Sequence, residues 1–271
     1  MPLNPNEPLI EDTTPDDGLL NPVVAGEAKG RGYDPSQVIP EMFAPPSEMP
    51  LIPRSEWSAR IKEQEERKSR ISDILLAAGI PSMDQGPNGY CWGHSTVGCV
   101  QAVRALNNVP YVPLSAYHVC AVIKRGVNEG GWCGLSAKFL REVGVCSQAI
   151  WPQGNRDYRR LDTPECRANA ALHKVTEEWT DLTRAVYDQS LTFEQVATCL
   201  LCNVPVAGDF NFWQHSVLLC DLVEVEPGSF GVRLRNSWGD GWGDKGFGVL
   251  RGSKARPDGA LAIRVTGASP V

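Results

Sequence analysis

A cysteine, a histidine and an asparagine, widely separated along the chain, are the residues best suited to chemistry. Cys91 stands in a Tyr-Cys-Trp-Gly segment, His215 in a Gln-His-Ser segment, and Asn236 opens an Asn-Ser-Trp-Gly segment. A thiolate attacks a carbonyl carbon more readily than water does, and an imidazole can take the thiol proton. An asparagine can hold that imidazole in the useful orientation, as the third member of a triad does. The three residues therefore predict attack by sulfur on an acyl group.

The segment from Cys91 to Leu106 is predicted to be a helix that begins at this cysteine. Apolar residues recur along it at spacings near 3.6, at Trp92, Cys99, Val100, Val103 and Leu106. The unpaired N–H groups and the dipole at a helix N-terminus favour an anion. Because a free cysteine is only slightly ionised at neutral pH, this placement would increase the share of reactive thiolate.

Gln85 lies six residues before the cysteine, in a loop that contains glycine. Its side-chain amide and the backbone N–H of Cys91 can both donate to the oxyanion that forms when a carbonyl is attacked. One such donor contributes roughly 3–4 kcal/mol in the transition state. The predicted catalytic residues are therefore Cys91, His215, Asn236 and Gln85.

The order of these segments resembles that of the papain-type cysteine peptidases, and the resemblance covers most of residues 48–271. It implies an α+β, two-lobed papain-like fold, with a helical left lobe, a β-barrel-like right lobe and the active-site cleft between them. It also implies that Trp238 shields the hydrogen bond between Asn236 and His215 from water. The implied activity is that of a thiol endopeptidase with no cofactor and no metal.

The same resemblance divides the chain into an extension and a catalytic domain. The extension covers residues 1–47, and the domain covers residues 48–271, with a helical lobe at roughly 80–165 and a β-rich lobe at roughly 166–271. An inserted segment at roughly 59–79 has the pattern of a solvated helix that a glycine stops. We expect the extension to be separable from the domain near residue 48.

By resemblance, Trp238 also belongs to the substrate-binding residues, and four further residues contact the substrate, none of which carries a charge. They are Gly130 and Gly131 beside its backbone, and Ser216 and Thr266 in the pocket that reads the second residue before the cut. A neutral pocket predicts a preference for an apolar residue there over arginine, because apolar burial is favourable. The opposite preference would point to an acid such as Asp209 or Asp258 reaching the pocket.

Other cysteines and histidines offer weaker candidates for chemistry. His94, three residues along the helix from Cys91, is an alternative base, although His215 already fills that role. Cys199 and Cys202 form a lone C-x-x-C, which is more typical of core residues at a helix end than of a zinc or redox site.

Composition limits the classes of function. The net charge of −6 is concentrated in residues 1–50, which hold nine acids and two bases, so the remainder carries about +1 and has no basic stripe for nucleic acid. No apolar run approaches the ~18 residues of a membrane span. The first residues lack the pattern of a signal peptide, and the cysteine count of nine is odd. We therefore expect a reducing location, in the cytoplasm or within a virion or other assembly.

The extension is acidic, and the first fifty residues hold ten of the 21 prolines, so it is not expected to form a domain of its own. Three interpretations stay open for residues 1–47: a flexible tail, an arm that binds a protein partner or an assembly, or a short segment that blocks the cleft.

Three functions also stay open. The first is an endopeptidase that acts on peptides or proteins. The second is a papain-like module of an assembly such as a phage particle, with activity optional, and the third is an amidase that acts on cell-wall peptides.

Overall fold

The structure is a computed structural model, and it describes residues 4–15, 23–24, 26–45, 48–182, 192–264 and 266. Within these ranges, no helix has the length and apolar character needed to cross a membrane.

Eight α-helices are described, and seven of them lie between residues 57 and 171. They are α1 (Trp57–Arg67), α2 (Ile71–Ala77), α3 (Cys91–Leu106), α4 (Ala116–Ile123), α5 (Cys133–Glu142), α6 (Tyr158–Leu161), α7 (Pro164–Ala171) and α8 (Thr192–Leu201).

The central helix α3 begins at Cys91, so the predicted helix is confirmed. All of its residues except Leu106 are buried, because it packs against α2, α4, α5 and the strands β5 (Val206–Phe210) and β6 (His215–Glu226). Small residues permit this packing: a Cβ atom at Gly93 would lie 2.2 Å from the Cys120 sulfur. The helix that carries the nucleophile is therefore held on several sides.

A seven-stranded sheet forms the other half of the molecule, in the order β1-β8-β7-β6-β5-β9-β4. Its remaining strands are β1 (Leu9–Ile10), β4 (Thr180–Asp181), β7 (Ser229–Arg235), β8 (Phe247–Arg251) and β9 (Gly259–Ala262). The pair of β1 with β8 is parallel, and the other pairs are antiparallel. Strands β2 (Val23–Val24) and β3 (Glu27–Ala28) form a separate antiparallel pair.

The inserted segment differs from its prediction, since two helices replace the single one expected at roughly 59–79. Lys68 takes a left-handed conformation with φ of 50°, and its N–H bonds back to Gln64 and Glu65. This local geometry ends α1 as a helix cap does. Arg70 then bridges the break by pairing with Glu65 at 3.0 Å and Asp73 at 2.8 Å.

The N-terminal extension takes part in the fold over residues 4–15, which we call the anchor segment. Ile10 is fully buried in the main core, and β1 extends the sheet beside β8. Farther along the extension, Ala44 is 4% exposed and its N–H bonds to Asp181. A boundary at residue 48 would therefore remove Ile10 and Ala44 from the core and β1 from the sheet. These parts of the extension are not a free tail.

Candidate active site

Cys91 lies at the first position of α3 and is completely buried. The backbone and the hydroxyl of Ser216 and the backbone of Gly32 form hydrogen bonds to its thiol that lower the thiol pKa. Burial outweighs them and raises the pKa of Cys91 to about 12. Burial therefore favours the neutral thiol at this predicted nucleophile, despite its place at a helix N-terminus.

His215 begins β6, and Asn236 follows the end of β7, so neighbouring strands bring the two side chains together. The His215 Nε2 atom lies 2.8 Å from the Asn236 Oδ1 atom. The backbone N–H of Ser237 also donates to this Oδ1 at 2.8 Å, which identifies it as the oxygen of the amide. Nε2 must then carry the proton, and Nδ1 keeps its lone pair.

The Nδ1 atom of His215 is buried and has no hydrogen-bond partner among the described residues. An unpaired nitrogen lone pair in a buried site is a candidate proton acceptor. Burial, together with the positive charge of Arg31, lowers the pKa of His215 to about 3, although the hydrogen bond to Asn236 opposes this. Burial in this closed site thus favours the neutral forms of both the thiol and the imidazole.

Trp238 covers the hydrogen bond between His215 and Asn236. Its ring lies 4.6 Å from the imidazole at an interplanar angle of 24°, and Trp213 contacts the imidazole edge at 4.9 Å. Trp238 is fully buried, as is Trp213. The ring of Trp238 thus lies against the imidazole, and the shielding role implied by the sequence resemblance stays a prediction.

Gln85 is fully buried in the loop before α3 and is fixed at both ends of its amide. Its Oε1 atom accepts from the Ser237 hydroxyl at 2.5 Å, and its Nε2 donates to the Asn88 carbonyl at 2.7 Å. The backbone N–H of Gln85 also donates to the Ser237 carbonyl at 2.9 Å. These bonds join the loop before Cys91 to the segment that carries Asn236.

His94 is engaged away from the cysteine. Its Nδ1 atom lies 2.8 Å from the Tyr90 carbonyl and its Nε2 atom 3.2 Å from the Gln153 amide nitrogen. Burial lowers the pKa of His94 to about 4. Both ring nitrogens therefore have other partners, and the geometry favours His215 as the base.

The N-terminal extension crosses the site with residues 29–34, which we call the cleft segment. The Gly30 N–H donates to Gly86 at 2.8 Å, and the Gly30 carbonyl accepts from the Trp238 indole at 2.9 Å. The Gly32 carbonyl accepts from the Gly131 N–H at 2.9 Å. The cleft segment therefore covers the residues on both sides of the nucleophile.

Two glycines allow this close approach. A Cβ atom at Gly30 would lie 2.2 Å from the Asn88 carbonyl oxygen, and one at Gly32 would lie 2.2 Å from that of Gly89. Gly130 serves the same contact from the other side, because its Cβ atom would lie 2.7 Å from the Gly32 carbonyl oxygen. Side chains at these positions would separate the segment from the cleft.

The cleft segment pairs with Gly131 in parallel through Tyr33. The Gly32 backbone forms a hydrogen bond with the Cys91 thiol, and the phenol of Tyr33, the next residue, is under the electrostatic influence of Asp209, which accepts from Ser216. In a substrate, the residue in the Ser216 pocket would precede the residue at the nucleophile. The cleft segment therefore runs in the opposite direction to the substrate expected from the sequence.

The Ser216 hydroxyl donates to the carboxylate of Asp209, so an acid lies beside one of the predicted pocket residues, which the expectation of a neutral pocket did not include. Asp209 is 2% exposed and also accepts from Cys133. Thr266 forms a bridge with Val175, and its place in the pocket stays a prediction. Gly131 lies against the ring of Trp92, whose atoms a Cβ would meet at 2.8 Å.

Sequence reasoning missed the residues that fill the cleft. The signal was present in Lys29-Gly30-Arg31-Gly32, where a Gly-x-Gly carries the two bases of residues 1–50. Lys29 pairs with Asp84 at 2.8 Å, and Arg31 donates to the Trp213 carbonyl at 3.1 Å. The C-x-x-C thiols differ in burial, with Cys199 buried and Cys202 exposed, and no group of metal ligands is found among the described residues.

The chain is similar to known proteins in both sequence and structure. A sequence model of the papain family of cysteine proteases matches residues 78–260. The cysteine endopeptidase RepA of Oryza sativa subsp. japonica is 26% identical over 211 residues, which are 69% of this chain and 53% of that protein. Zingipain-2 of Zingiber officinale is 22% identical over 205 residues, covering 72% of this chain and 92% of that protein. This chain thus spans about half the length of the rice relative.

Solved structures agree at the level of the fold. Xylellain, a cysteine protease from Xylella fastidiosa, has a TM-score of 0.59 at 18% identity, over 88% of this chain and 97% of that chain. Procathepsin L 3 from Tenebrio molitor larval midgut has a TM-score of 0.56 at 19% identity, over 92% of this chain and 77% of that chain. The predicted α+β papain-like fold is confirmed.

Proposed function

Because the chain belongs to the papain family of cysteine proteases, we propose that it is a thiol endopeptidase that hydrolyses peptide bonds in peptides or proteins. The observation that carries the proposal is the His215 imidazole. Asn236 holds its Nε2 atom, and its Nδ1 atom has no partner in the described structure. That nitrogen is available to take the proton of Cys91.

The chemistry runs through an acyl-enzyme. Nδ1 of His215 takes the thiol proton, and the Cys91 thiolate attacks the substrate carbonyl carbon to form a tetrahedral oxyanion. The Gln85 amide and the Cys91 backbone N–H stabilise this oxyanion. The imidazolium then protonates the leaving amine as the C–N bond breaks. Water, deprotonated by His215, hydrolyses the thioester and restores the thiol.

We further propose that the cleft segment keeps this site latent. It buries Cys91 and lies against Gly131 and Trp238, where a substrate would have to bind. Its reversed direction presents no bond in the orientation needed for attack. This role inside the chain weakens the case for a module of an assembly, because that case rested in part on the long extension.

The test compares variants of the full chain that also carry Gly30→Ala and Gly32→Ala to displace the cleft segment. With an unfolded protein as substrate, Cys91→Ala and His215→Ala should each reduce turnover by at least about 10³-fold. Gln85→Ala should lower kcat by about 10²- to 10³-fold with little change in KM. Asn236→Ala should retain weak activity, because it orients the base and takes no proton.

Cys99→Ala is the matched control, since Cys99 is another fully buried thiol of α3. It should keep turnover close to that of its parent. Undiminished turnover in Cys91→Ala would refute the proposed nucleophile. Cleavage of cell-wall peptides alone, with no protein substrate hydrolysed, would favour the amidase.

A further inference from the structure

A buried carboxylate lies beside the nucleophile, and the catalytic steps make no use of it. Asp209 is on β5, where it pairs with Ser216 on β6 and with Gly259 on β9. Its side chain is directed toward the start of α5, because it accepts from the Cys133 backbone N–H at 3.2 Å and from the Cys133 thiol at 3.0 Å. The Ser216 hydroxyl, which also contacts Cys91, is its third donor.

None of these donors carries a positive charge. Burial raises the pKa of Asp209 to about 6, and the nearby carboxylate of Asp258 raises it as well. The groups that act on it most strongly are Cys133, Ser216 and Asp258, and none of them is a cation. At neutral pH the site therefore holds a buried anion whose main neighbours do not neutralise it.

Tyr33 of the cleft segment indicates what kind of side chain enters this space. The backbone N–H of Tyr33 donates to the Gln214 carbonyl, and its backbone forms a bridge with Gly131. The residue is only 6% exposed. After burial, the carboxylate of Asp209 is the strongest influence that raises the pKa of the Tyr33 phenol. A side chain as long as tyrosine thus ends in the field of Asp209.

We propose that Asp209 is a specificity-determining residue, which makes this pocket select arginine or lysine as the second residue before the scissile bond. The inference rests on the proposed peptidase function and names the substrate class of that same site. It reverses the apolar preference expected from Ser216 and Thr266.

A cationic side chain supplies the positive charge that the main neighbours of Asp209 lack. The guanidinium of arginine can donate two charge-assisted hydrogen bonds to one carboxylate, and its flat shape is comparable to that of the tyrosine it replaces. A leucine would remove water from Asp209 and offer no compensating charge or donor.

The carboxylate also acts on the nucleophile, because its negative charge raises the pKa of Cys91. A bound cation would oppose that effect. An arginine in the pocket should therefore increase kcat as well as lower KM, since part of its benefit appears when the thiolate forms.

The experiment measures kcat/KM for two fluorogenic peptides that differ only at this position, one with arginine and one with leucine. The enzyme is the full chain with Gly30→Ala and Gly32→Ala. We expect arginine to be preferred by about 10- to 100-fold. Asp209→Asn, which keeps the shape and removes the charge, should reduce that ratio by a similar factor.

Asp221→Asn is the matched control. Asp221 is a buried carboxylate of β6 that pairs with Arg233 at 3.5 Å and faces α2 at Ser72. This variant should leave the arginine-to-leucine ratio within about twofold, because a general loss of stability affects both peptides alike. A preference for leucine or tyrosine that survives in Asp209→Asn would overturn the proposal. Failure to cleave any peptide would overturn the proposed function itself, and the pocket with it.

A second measurement needs no substitution at Asp209 and covers the case in which that variant does not fold. The ratio of the two kcat/KM values should rise with pH, because ionisation of Cys91 and His215 affects both peptides and cancels. The midpoint should lie between the ordinary carboxyl value of 3.8 and about 6. A ratio that stays constant from pH 4 to 7.5 would overturn the proposal. The charged or titratable groups that face Asp209 are Tyr33, Cys91, Cys133 and Asp258.

Discussion

The anchor segment and the cleft segment belong to the same N-terminal extension, but they are held by different kinds of contact. The anchor segment uses side chains: Ile10 is buried in the core, and Glu7 pairs with Arg233 at 3.0 Å. The cleft segment combines backbone bonds of Gly30 and Gly32 to Gly86 and Gly131 with polar side-chain contacts of Lys29 and Arg31, and Tyr33 is its one buried residue.

This difference indicates that the two segments can separate in function. Apart from the buried Tyr33, the cleft segment is held by hydrogen bonds and an ion pair, which exchange for bonds to water or to a substrate at a small net cost. Burial of an isoleucine has no such substitute in water. The extension can therefore leave the cleft while its anchor segment stays in the sheet.

The largest expected effect is on the reactivity of Cys91. Between a pKa of about 12 and the ordinary 9.0, the thiolate fraction at pH 7 differs about 1,000-fold. In the full chain with Gly30→Ala and Gly32→Ala, both clashes push the cleft segment away and water reaches the thiol. Alkylation of Cys91 by iodoacetamide, followed by peptide mass spectrometry, should become more than about 100-fold faster.

Cys202 provides an internal reference for that labelling, because it is exposed whereas the other eight cysteines are buried. Its alkylation rate should be the same in both proteins. Gly26→Asn is the control in the extension, since Gly26 has φ of 82° and nothing within 4 Å of its Cβ position. Equal labelling of Cys91 in parent and double variant would show that the segment does not protect it.

The next effect is on turnover. The double variant should hydrolyse an unfolded protein at least about tenfold faster than the parent, because a substrate no longer competes with a tethered segment at high effective concentration. Its thermal unfolding midpoint should change little. A large fall in that midpoint would mean that the cleft segment, like the anchor segment, stabilises the core.

The anchor segment should show the reverse pattern. Ile10→Ala removes a fully buried side chain and should lower the free energy of unfolding by about 2–4 kcal/mol. Ile39→Ala is the control, since Ile39 is 42% exposed in the same extension, and it should cost little. Urea titration monitored by fluorescence measures both. If Ile10→Ala raised turnover as much as the glycine pair does, the two segments would act as one unit.

The smallest expected effect depends on pH. Burial raises the pKa of Glu7 above its ordinary value of 4.5, although Arg233 opposes this. A raised folded-state pKa means that the folded protein holds the proton more tightly than the unfolded one. The contribution of Glu7 to stability should be complete below pH 4.5 and decline as pH rises through the folded-state pKa. Melting curves of the parent and Glu7→Gln from pH 4 to 8 should converge at low pH and differ at high pH; parallel curves would contradict this assignment.

The sequence alone identified the residues with reactive chemistry and the element that carries the first of them. The predicted roles of Gln85, Cys91, His215 and Asn236 followed from their order, because each residue type has a distinct chemical use. The helix at Cys91 could be predicted because its apolar residues repeat with the helical period. The break between α1 and α2 at Lys68 could not be predicted, since a single left-handed lysine leaves no pattern in the sequence.

Only the tertiary structure decided which charges and which chain segments surround those residues. Asp209 and Ser216 are near in sequence, but only their pairing across β5 and β6, and the approach of Cys133 from α5, place a carboxylate in the pocket. Likewise, residues 29–34 lie more than fifty positions before Cys91, and their Gly-x-Gly with two bases does not by itself specify which surface they contact. The reactive groups are properties of residue types, whereas their ionisation and accessibility depend on long-range contacts, so the sequence determined the chemistry and the fold determined when it is available.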